Sequence, residues 1–280
     1  MCSGTQGRMT YHQSPDSEGE QRARDLAVEK HDREARDFDK EYRTLAVEGY
    51  LATAFLLGRE KIDRILYREL ERCGTDARVL DAGCGTGSQL AEIARREFDV
   101  VGLEPAIEMR RIAVKANPGV EIDGGSITAM PFPDASFDVV IALEVLRYLP
   151  GTDNDLAWKE MLRVLRPGGT LIVTLVNRWA IDGYVIHEWI QTRRASRSGD
   201  LQRAHCEFTT PGRVRRYLTG LGVAEVKTLG RLVLPLRWAY KIDRRLGQIM
   251  ARVLNPLDDL ISQIPGTTAL AGHLVVVVRR

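Results

Sequence analysis

A glycine-rich run behind an acidic residue is the first feature of the sequence that could do chemistry. Asp81 is followed by glycines at alternate positions, Gly83, Gly85 and Gly87. Glycine lets a backbone turn sharply and approach a ligand, so that amide groups and a helix N-terminus face polar or anionic atoms. A dinucleotide fingerprint would need a glycine where Ser88 stands, and no Gly-Lys-Ser/Thr follows as in a P-loop. The run therefore predicts a ligand site that is neither of these two kinds.

Two further segments carry polar residues where strands should end. Glu104 lies about twenty residues beyond the glycines, where a carboxylate can accept hydrogen bonds from a ribose diol. Ser126 and Ile127 precede the apolar strand that starts at Phe137, and a polar residue beside an apolar one suits the rim and face of an adenine ring. In an open α/β sheet, ligands bind beyond the carboxyl ends of the strands. We therefore expect the three segments to meet at one site.

The elements that position these residues follow from the spacing of apolar residues. After Gly74, short apolar strands alternate with amphipathic helices, beginning with a strand at Arg78 to Ala82. This alternation predicts an α/β fold with a doubly wound, mostly parallel seven-stranded sheet and helices on both faces. Two helices should precede the sheet, because apolar residues share one face over His31 to Leu45 and again over Ile62 to Leu70, with an end near Cys73.

Composition and charge exclude several classes of protein. The 280 residues are 44% hydrophobic and 28% charged, which is typical of a globular chain and not of a collagen-like, disordered or coiled-coil one. No apolar run approaches the roughly 20 residues of a bilayer span, and the polar N-terminus has no secretory signal, so we expect a cytoplasmic protein. The four cysteines form no CxxC pair, which argues against a disulfide framework and a zinc site. A net charge of +2 predicts no nucleic-acid partner.

Taken together, these motifs resemble the class I S-adenosylmethionine-dependent methyltransferases, and among them the small-molecule group that includes the quinone-biosynthesis methyltransferases. The resemblance covers roughly residues 31 to 230 and the last strand. Five motifs carry it in the expected order: His31 to Asp39, Asp81 to Gly87, Glu104, Pro131 to Val140 and Val164 to Gly169.

The resemblance implies a Rossmann-like fold and S-adenosyl-L-methionine as cofactor, and from the cysteine pattern we expect no metal site. The amides around Gly83 and Gly85 would bind the methionine end of the cofactor, Glu104 the ribose, and Ser126 with Ile127 the adenine. In this family an Asp often stands where this chain has Ser126. The complete set of expected cofactor residues is Tyr42, Asp81, Gly83, Cys84, Gly85, Gly87, Glu104, Pro105, Met109, Ser126, Ile127, Leu143 and Glu144.

The implied function is methyl transfer to a small-molecule or lipid-like acceptor by in-line displacement. The stretch Leu143 to Leu146 lacks the Asn/Asp-Pro-Pro-aromatic and Pro-Cys motifs of nucleobase methyltransferases, which disfavours nucleic acid. The alternative is a non-catalytic protein that uses the fold to bind or activate another protein. A nicotinamide oxidoreductase is a third hypothesis, and the cofactor that raises the melting temperature would distinguish it.

Several side chains have two interpretations at this stage. His187 and His205 are candidate general bases, but a lone histidine near an apolar segment can equally be structural. His31 and Tyr42 either cover the sheet or close over the cofactor. Glu144 belongs either to the pocket or to the surface.

We divide the chain into an N-terminal helical cap over 1–74, mobile in its first part, a Rossmann-like core over 75–230 and 266–280, and a helical lid insertion over 231–265. The insertion predicts one amphipathic helix from Lys241. We expect its apolar face to cover the substrate cavity or a partner in a homodimer, and the alternative is peripheral contact of 241–257 with an anionic membrane. The apolar face comprises Leu246, Ile249, Met250, Val253, Leu254 and Leu257, and the opposite basic face Lys241, Arg244, Arg245 and Arg252.

Overall fold

Two helices precede the sheet in the computed structural model, which describes residues 17–186, 189, 190, 193 and 206–280. Helix α1 is Ser17–Glu48 and helix α2 is Ala54–Cys73, with a short 3-10 turn at Tyr50–Ala52 between them. Helix α2 begins after Thr53, whose hydroxyl accepts a hydrogen bond from the Leu56 amide. Its end at Cys73 confirms the boundary that the sequence predicted.

Strands and helices then alternate along the described chain. Their bounds are β1 Arg78–Ala82, α3 Ser88–Arg95, β2 Asp99–Leu103, α4 Ile107–Ala116, β3 Glu121–Asp123, β4 Phe137–Ala142, α5 Gly151–Val164, β5 Leu165–Asn177, β6 Phe208–Thr209, α6 Pro211–Gly220, β7 Glu225–Arg231, α7 Leu236–Ile242, α8 Arg244–Ile261 and β8 His273–Arg279. Further 3-10 turns lie at Leu146–Tyr148 and Thr267–Ala269.

The sheet has the strand order β3-β2-β1-β4-β5-β8-β7. Strand β8 is antiparallel to both β5 and β7, and the other pairings are parallel. The predicted seven-stranded, mostly parallel sheet is confirmed, with the two-residue strand β6 added beside β5. Because β8 runs against its neighbour, its first residue, His273, pairs with Val176 near the carboxyl end of β5. His273 therefore lies at the ligand-binding edge of the sheet.

The hydrophobic core lies on both faces of this sheet. Alternate residues of β1 point to opposite sides, so Leu80 packs with Trp158 of α5, whereas Val79 packs with Ile62 and Leu66 of α2. Trp158, Leu66, Leu80 and Val79 are 1% exposed or less. Complete burial of each such aliphatic side chain contributes about 1.5–3 kcal/mol. The two layers of helices hold the carboxyl ends of the strands in place.

The helical insertion differs from the sequence prediction in two ways. Asp243 has extended backbone angles, and its carboxylate accepts a hydrogen bond from the Leu246 amide at 2.9 Å, so the expected single helix is divided into α7 and α8. Part of the apolar face of α8 lies in solvent, with Ile249 59% and Val253 67% exposed, whereas Leu254 packs against the buried cluster that includes Leu57 and Leu236. The reason is that α8 packs through its other face, where Ala251 is buried. Whether 231–265 acts as a lid stays a prediction.

None of the helices in the described part of the chain is both long enough and apolar enough to cross a bilayer.

Candidate active site

A cavity of about 690 Å³ lies along the carboxyl edge of the sheet. It extends from the end of β2 past β1 and β4 to the start of β8, and side chains of α1, α2 and α7 close its sides. All the cofactor residues predicted from the sequence line it except Gly87. The lining residues that sequence analysis missed include Phe55, Arg59, Gln89, Tyr184, Arg237 and His273.

The glycine loop forms the floor of the cavity beside β1. Gly83 has a φ of 91°, and a Cβ atom added there would collide with Val145. Its amide donates to the Leu103 carbonyl at 2.7 Å, which joins the loop to β2. Gly87, in contrast, has a φ of 80° and packs against Asn117 and Ala113 of the α4 end, outside the cavity. Gly87 thus has a structural role at the start of α3, and whether it also binds the cofactor stays a prediction.

Glu104 connects this loop to the end of β2. One carboxylate oxygen accepts a hydrogen bond from the Gly85 amide at 2.8 Å and the other from the Ala106 amide at 2.9 Å. Burial raises the pKa of Glu104, and these two amide bonds partly offset that effect. A carboxylate can accept about four hydrogen bonds. Glu104 therefore keeps acceptor capacity for hydroxyl groups of a ligand in the cavity.

Asp81, at 3% exposure, is the most unusual acid of the site. Burial raises its pKa to about 7, although the Arg59 guanidinium lowers it. Among the described residues, its Oδ2 atom has no hydrogen-bond partner. Arg59 donates to Asp63 at 2.8 Å and also to Gln89, and it lines the same cavity. The site thus presents an unpartnered buried carboxylate oxygen close to a buried guanidinium, a suitable pair for a ligand that carries both charges.

A second group of predicted residues forms the rim beside β2 and α4. The Ser126 and Thr128 hydroxyls are 2.8 Å apart, and Ile127 is 5% exposed. Met109 of α4 is 3% exposed and also lines the cavity. This rim has the polar edge and apolar surface that an adenine ring requires.

Aromatic side chains of α1 form the outer wall. The ring centroid of His31 lies 5.8 Å from that of Phe38 and 4.7 Å from that of Tyr148, and those of Tyr42 and Phe55 lie 5.7 Å apart. Burial lowers the pKa of His31 and raises that of Tyr42. Both side chains line the cavity, so α1 does more than cover the sheet.

Glu144 lies where the cavity passes from β4 toward β8. Its carboxylate accepts hydrogen bonds from Arg147 at 2.9 Å and from the Thr174 hydroxyl at 3.0 Å, and lies 3.2 Å from Nδ1 of His273. Burial tends to raise the pKa of Glu144, but His273 and Arg147 hold it well below its usual value. Glu144 is therefore an anion in the pocket and not a surface residue.

His273 and Arg237 form the far end of the cavity. The Arg237 guanidinium lies 2.8 Å from Nε2 of His273, and since arginine only donates, Nε2 is the acceptor and Nδ1 carries the proton that faces Glu144. The Nε atom of Arg237 has no hydrogen-bond partner among the described residues. Burial lowers the pKa of Arg237, while Asp182 raises it. The expected bases His187 and His205 lie outside the described residues.

Comparison with known proteins adds an independent finding. Residues 80–173 match a family described as a methyltransferase domain. A demethylmenaquinone methyltransferase of Renibacterium salmoninarum is 40% identical over 96 residues, covering 34% of this chain and 40% of that enzyme. A ubiquinone biosynthesis O-methyltransferase of Azorhizobium caulinodans is 32% identical over 177 residues, covering 59% of this chain and 66% of that enzyme. The chain thus spans less than two thirds of the length of either relative.

Solved structures show the same fold. A SAM dependent methyltransferase from Archaeoglobus fulgidus has a TM-score of 0.55 and 15% sequence identity, with 85% of this chain and 100% of that chain covered. At this level of identity the likeness supports the architecture alone.

Proposed function

Since residues 80–173 are a class I, S-adenosylmethionine-dependent methyltransferase domain, we propose that the protein transfers a methyl group to a small-molecule acceptor. The observation that carries this proposal is one cavity with two chemically different ends. Asp81 and Glu104 lie at the end beside β1 and β2, and His273 and Arg237 at the end beside β8. A transferase needs such an arrangement because donor and acceptor must be held in line, an effect worth up to about 7–11 kcal/mol.

The first end fits S-adenosylmethionine, which supplies an electrophilic methyl group on a sulfonium when it is bound. Asp81 has an unpartnered buried oxygen that would accept a hydrogen bond from the ammonium group of the methionine moiety. Arg59 would face the carboxylate of that moiety. Glu104 would hold the ribose hydroxyls, and Ser126 with Ile127 would enclose the adenine.

The second end favours an acceptor with a weakly acidic hydroxyl group, such as a phenol. Arg237 has an unused Nε donor that would stabilise negative charge developing on an acceptor oxygen. Nε2 of His273 would take the proton of that hydroxyl once the bound acceptor displaces the Arg237 guanidinium from it. Glu144, held ionised by its neighbours, would stabilise the resulting imidazolium. Tyr148 and Tyr184 provide aromatic walls beside this end.

The relatives support an acceptor of this chemistry. One is named for demethylmenaquinone and the other for ubiquinone biosynthesis, so both names concern quinones. A large cavity with aromatic walls is compatible with an aromatic, lipid-like molecule of that kind.

The test is methyl turnover by the full chain with labelled S-adenosylmethionine and a panel of hydroquinones, other phenols and aromatic acids. We expect labelled phenol ethers as products. His273→Asn should lower kcat about 10²- to 10⁴-fold, the usual contribution of a general base, with little change in cofactor affinity. Arg237→Met should raise KM and lower kcat for the same acceptor.

The two histidines named from the sequence provide the comparison. His187→Asn and His205→Asn should leave turnover near the wild-type value, and a loss confined to either of them would refute the assignment of His273. If the protein binds cofactor but labels nothing in the panel or in a cell extract, the non-catalytic alternative gains support over methyl transfer.

A further inference from the structure

Helix α8 exposes a continuous apolar stripe on the outside of the protein. We define the outer stripe as Leu246, Ile249, Val253, Leu257 and Leu260, which are 39%, 59%, 67%, 46% and 62% exposed. At 100° per residue these positions fall within an arc of about 80°, and at 1.5 Å per residue they span about 21 Å. An exposed apolar surface of this extent, bordered by polar residues, is typical of an interaction site.

The opposite face of α8 is anchored, so the outer stripe cannot turn toward the core. Lys61 of α2 and Asp258 of α8 are both fully buried, and the Lys61 ammonium lies 2.7 Å from the Asp258 carboxylate. Asp258 also accepts hydrogen bonds from the amides of Val233 and Leu234. Rotation of the helix would separate this buried pair and break the hydrogen bonds that these two amides donate. The stripe therefore stays in contact with whatever surrounds the protein.

Positive charges border the stripe. Arg245 and Arg252 follow one edge of the helix, and neither makes an ion pair within the part of the chain that the structure describes. The nearby acids are engaged elsewhere, because Asp243 caps α8 and Asp259 pairs with Lys61 and Arg64. The uncompensated charge beside the stripe is thus positive, which is complementary to an anionic partner.

The loop after β5 also exposes an aromatic and an aliphatic side chain. Trp179 is 64% exposed and Ile181 55% exposed. The Ile181 amide donates to the carbonyl of Leu270, beyond the end of α8, and the Trp238 indole of α7 donates to the Asp182 carbonyl at 3.0 Å. These bonds hold the loop beside α7. Tryptophan is enriched where proteins meet the interfacial region of a bilayer.

We propose that the outer stripe docks on an anionic lipid membrane, with its apolar side chains at the boundary between headgroups and acyl chains and with Arg245 and Arg252 against lipid phosphates. A second copy of the chain is a poorer occupant, since a two-fold contact would bring the same uncompensated arginines together. Helix α7 lines the active-site cavity through Arg237 and Lys241 and leads directly into α8. Docking would therefore bring the cavity close to lipid. The proposal does not depend on methyl transfer.

The test is flotation of the full chain with vesicles of phosphatidylcholine alone and of phosphatidylcholine mixed with phosphatidylglycerol. We expect binding to the mixed vesicles only. The double variant Arg245→Gln/Arg252→Gln should lower the partition coefficient about thirty-fold, given the usual contribution of each basic residue near an anionic surface. The double variant Ile249→Asp/Val253→Asp should abolish binding, and melting followed by circular dichroism should remain close to the wild type because both residues are exposed.

A matched control is available on α4, where Ile107 and Val114 are 64% and 52% exposed. Ile107→Asp/Val114→Asp adds the same charge at another apolar surface and should leave vesicle binding unchanged. Absence of wild-type binding to the mixed vesicles overturns the proposal, as does wild-type binding by Ile249→Asp/Val253→Asp. If the wild-type protein is a homodimer and Ile249→Asp/Val253→Asp dissociates it, the outer stripe binds a second copy of the chain and the membrane proposal is wrong.

Discussion

Cofactor binding should weaken steeply below neutral pH because Asp81 must lose a proton to pair with an ammonium group. Burial raises the Asp81 pKa to about 7 in the free protein. If only the ionised form of Asp81 binds, the apparent Kd exceeds the Kd of that form by a factor of 1 + 10^(pKa − pH). That factor is about 2 at pH 7 and about 33 at pH 5.5. Affinity should therefore fall roughly 16-fold between the two values.

The measurement is titration calorimetry with S-adenosylhomocysteine, which carries the same ammonium group and cannot be turned over. A free α-amino group has a pKa near 8, so the ligand remains charged throughout this range. Repeating the titration in buffers with different heats of ionisation counts the protons released. We expect about one proton per ligand at pH 5.5 and about half a proton at pH 7.

Two variants identify the titrating group. Asp81→Asn should remove the dependence of the Kd on pH. It should also weaken binding at pH 7 by about 1.5–3 kcal/mol, which is the loss of a hydrogen bond to a charged group. Asp99→Asn is the control, because Asp99 begins β2 at the opposite edge of the sheet and its side chain is 66% exposed. If the Kd of Asp81→Asn still depends on pH, the titrating group is Glu104. A wild-type Kd that does not depend on pH would refute the charge pairing altogether.

Three further variants test the loop, the ribose site and the anchor of α8. Glu104→Gln should weaken cofactor binding by about 1.5–3 kcal/mol in calorimetry, because it removes the charge and its NH2 group cannot accept the hydrogen bond of one of the two backbone amides. Gly83→Ala should lower the unfolding free energy in urea by at least about 1 kcal/mol, because of its φ of 91° and the collision with Val145. Lys61→Met should cost about 3–5 kcal/mol of stability by leaving the Asp258 carboxylate buried and unpaired, and adding Asp258→Asn should restore most of it.

Local and topological rules account for the part of the fold and site that the sequence predicted. Alternating strand and helix periods placed β1 and β2, and the rule for ligands in open sheets brought Asp81, Glu104 and Ser126 to one edge. The match of residues 80–173 to the methyltransferase domain family confirms the resemblance inferred from these motifs. Whether the lining residues bind cofactor stays a prediction.

The missed residues depend on contacts between distant parts of the chain. His273 reaches the cavity only because β8 runs antiparallel beside β5, a pairing that no local pattern near His273 indicates. Arg237 belongs to α7, which packs against α2 through Leu236 and Leu57, a contact between residues far apart in the sequence. The direction in which the apolar face of α8 points has a similar origin: amphipathicity identifies an apolar face, but the buried pair of Lys61 and Asp258 decides which side meets the core.

Glu144 shows how predicted and missed residues come to act on one cavity. Its φ of 62° lies in the left-handed region, which costs a residue with a side chain about 1–2 kcal/mol. Such a conformation persists only where its surroundings over-determine it. Thr174 of β5, Arg147 after β4 and His273 of β8 all contact this carboxylate, so three segments fix its position. A glycine would relieve the strain but would leave those groups without their common anion. The strained backbone is therefore the consequence of placing one negative charge between the two ends of the cavity.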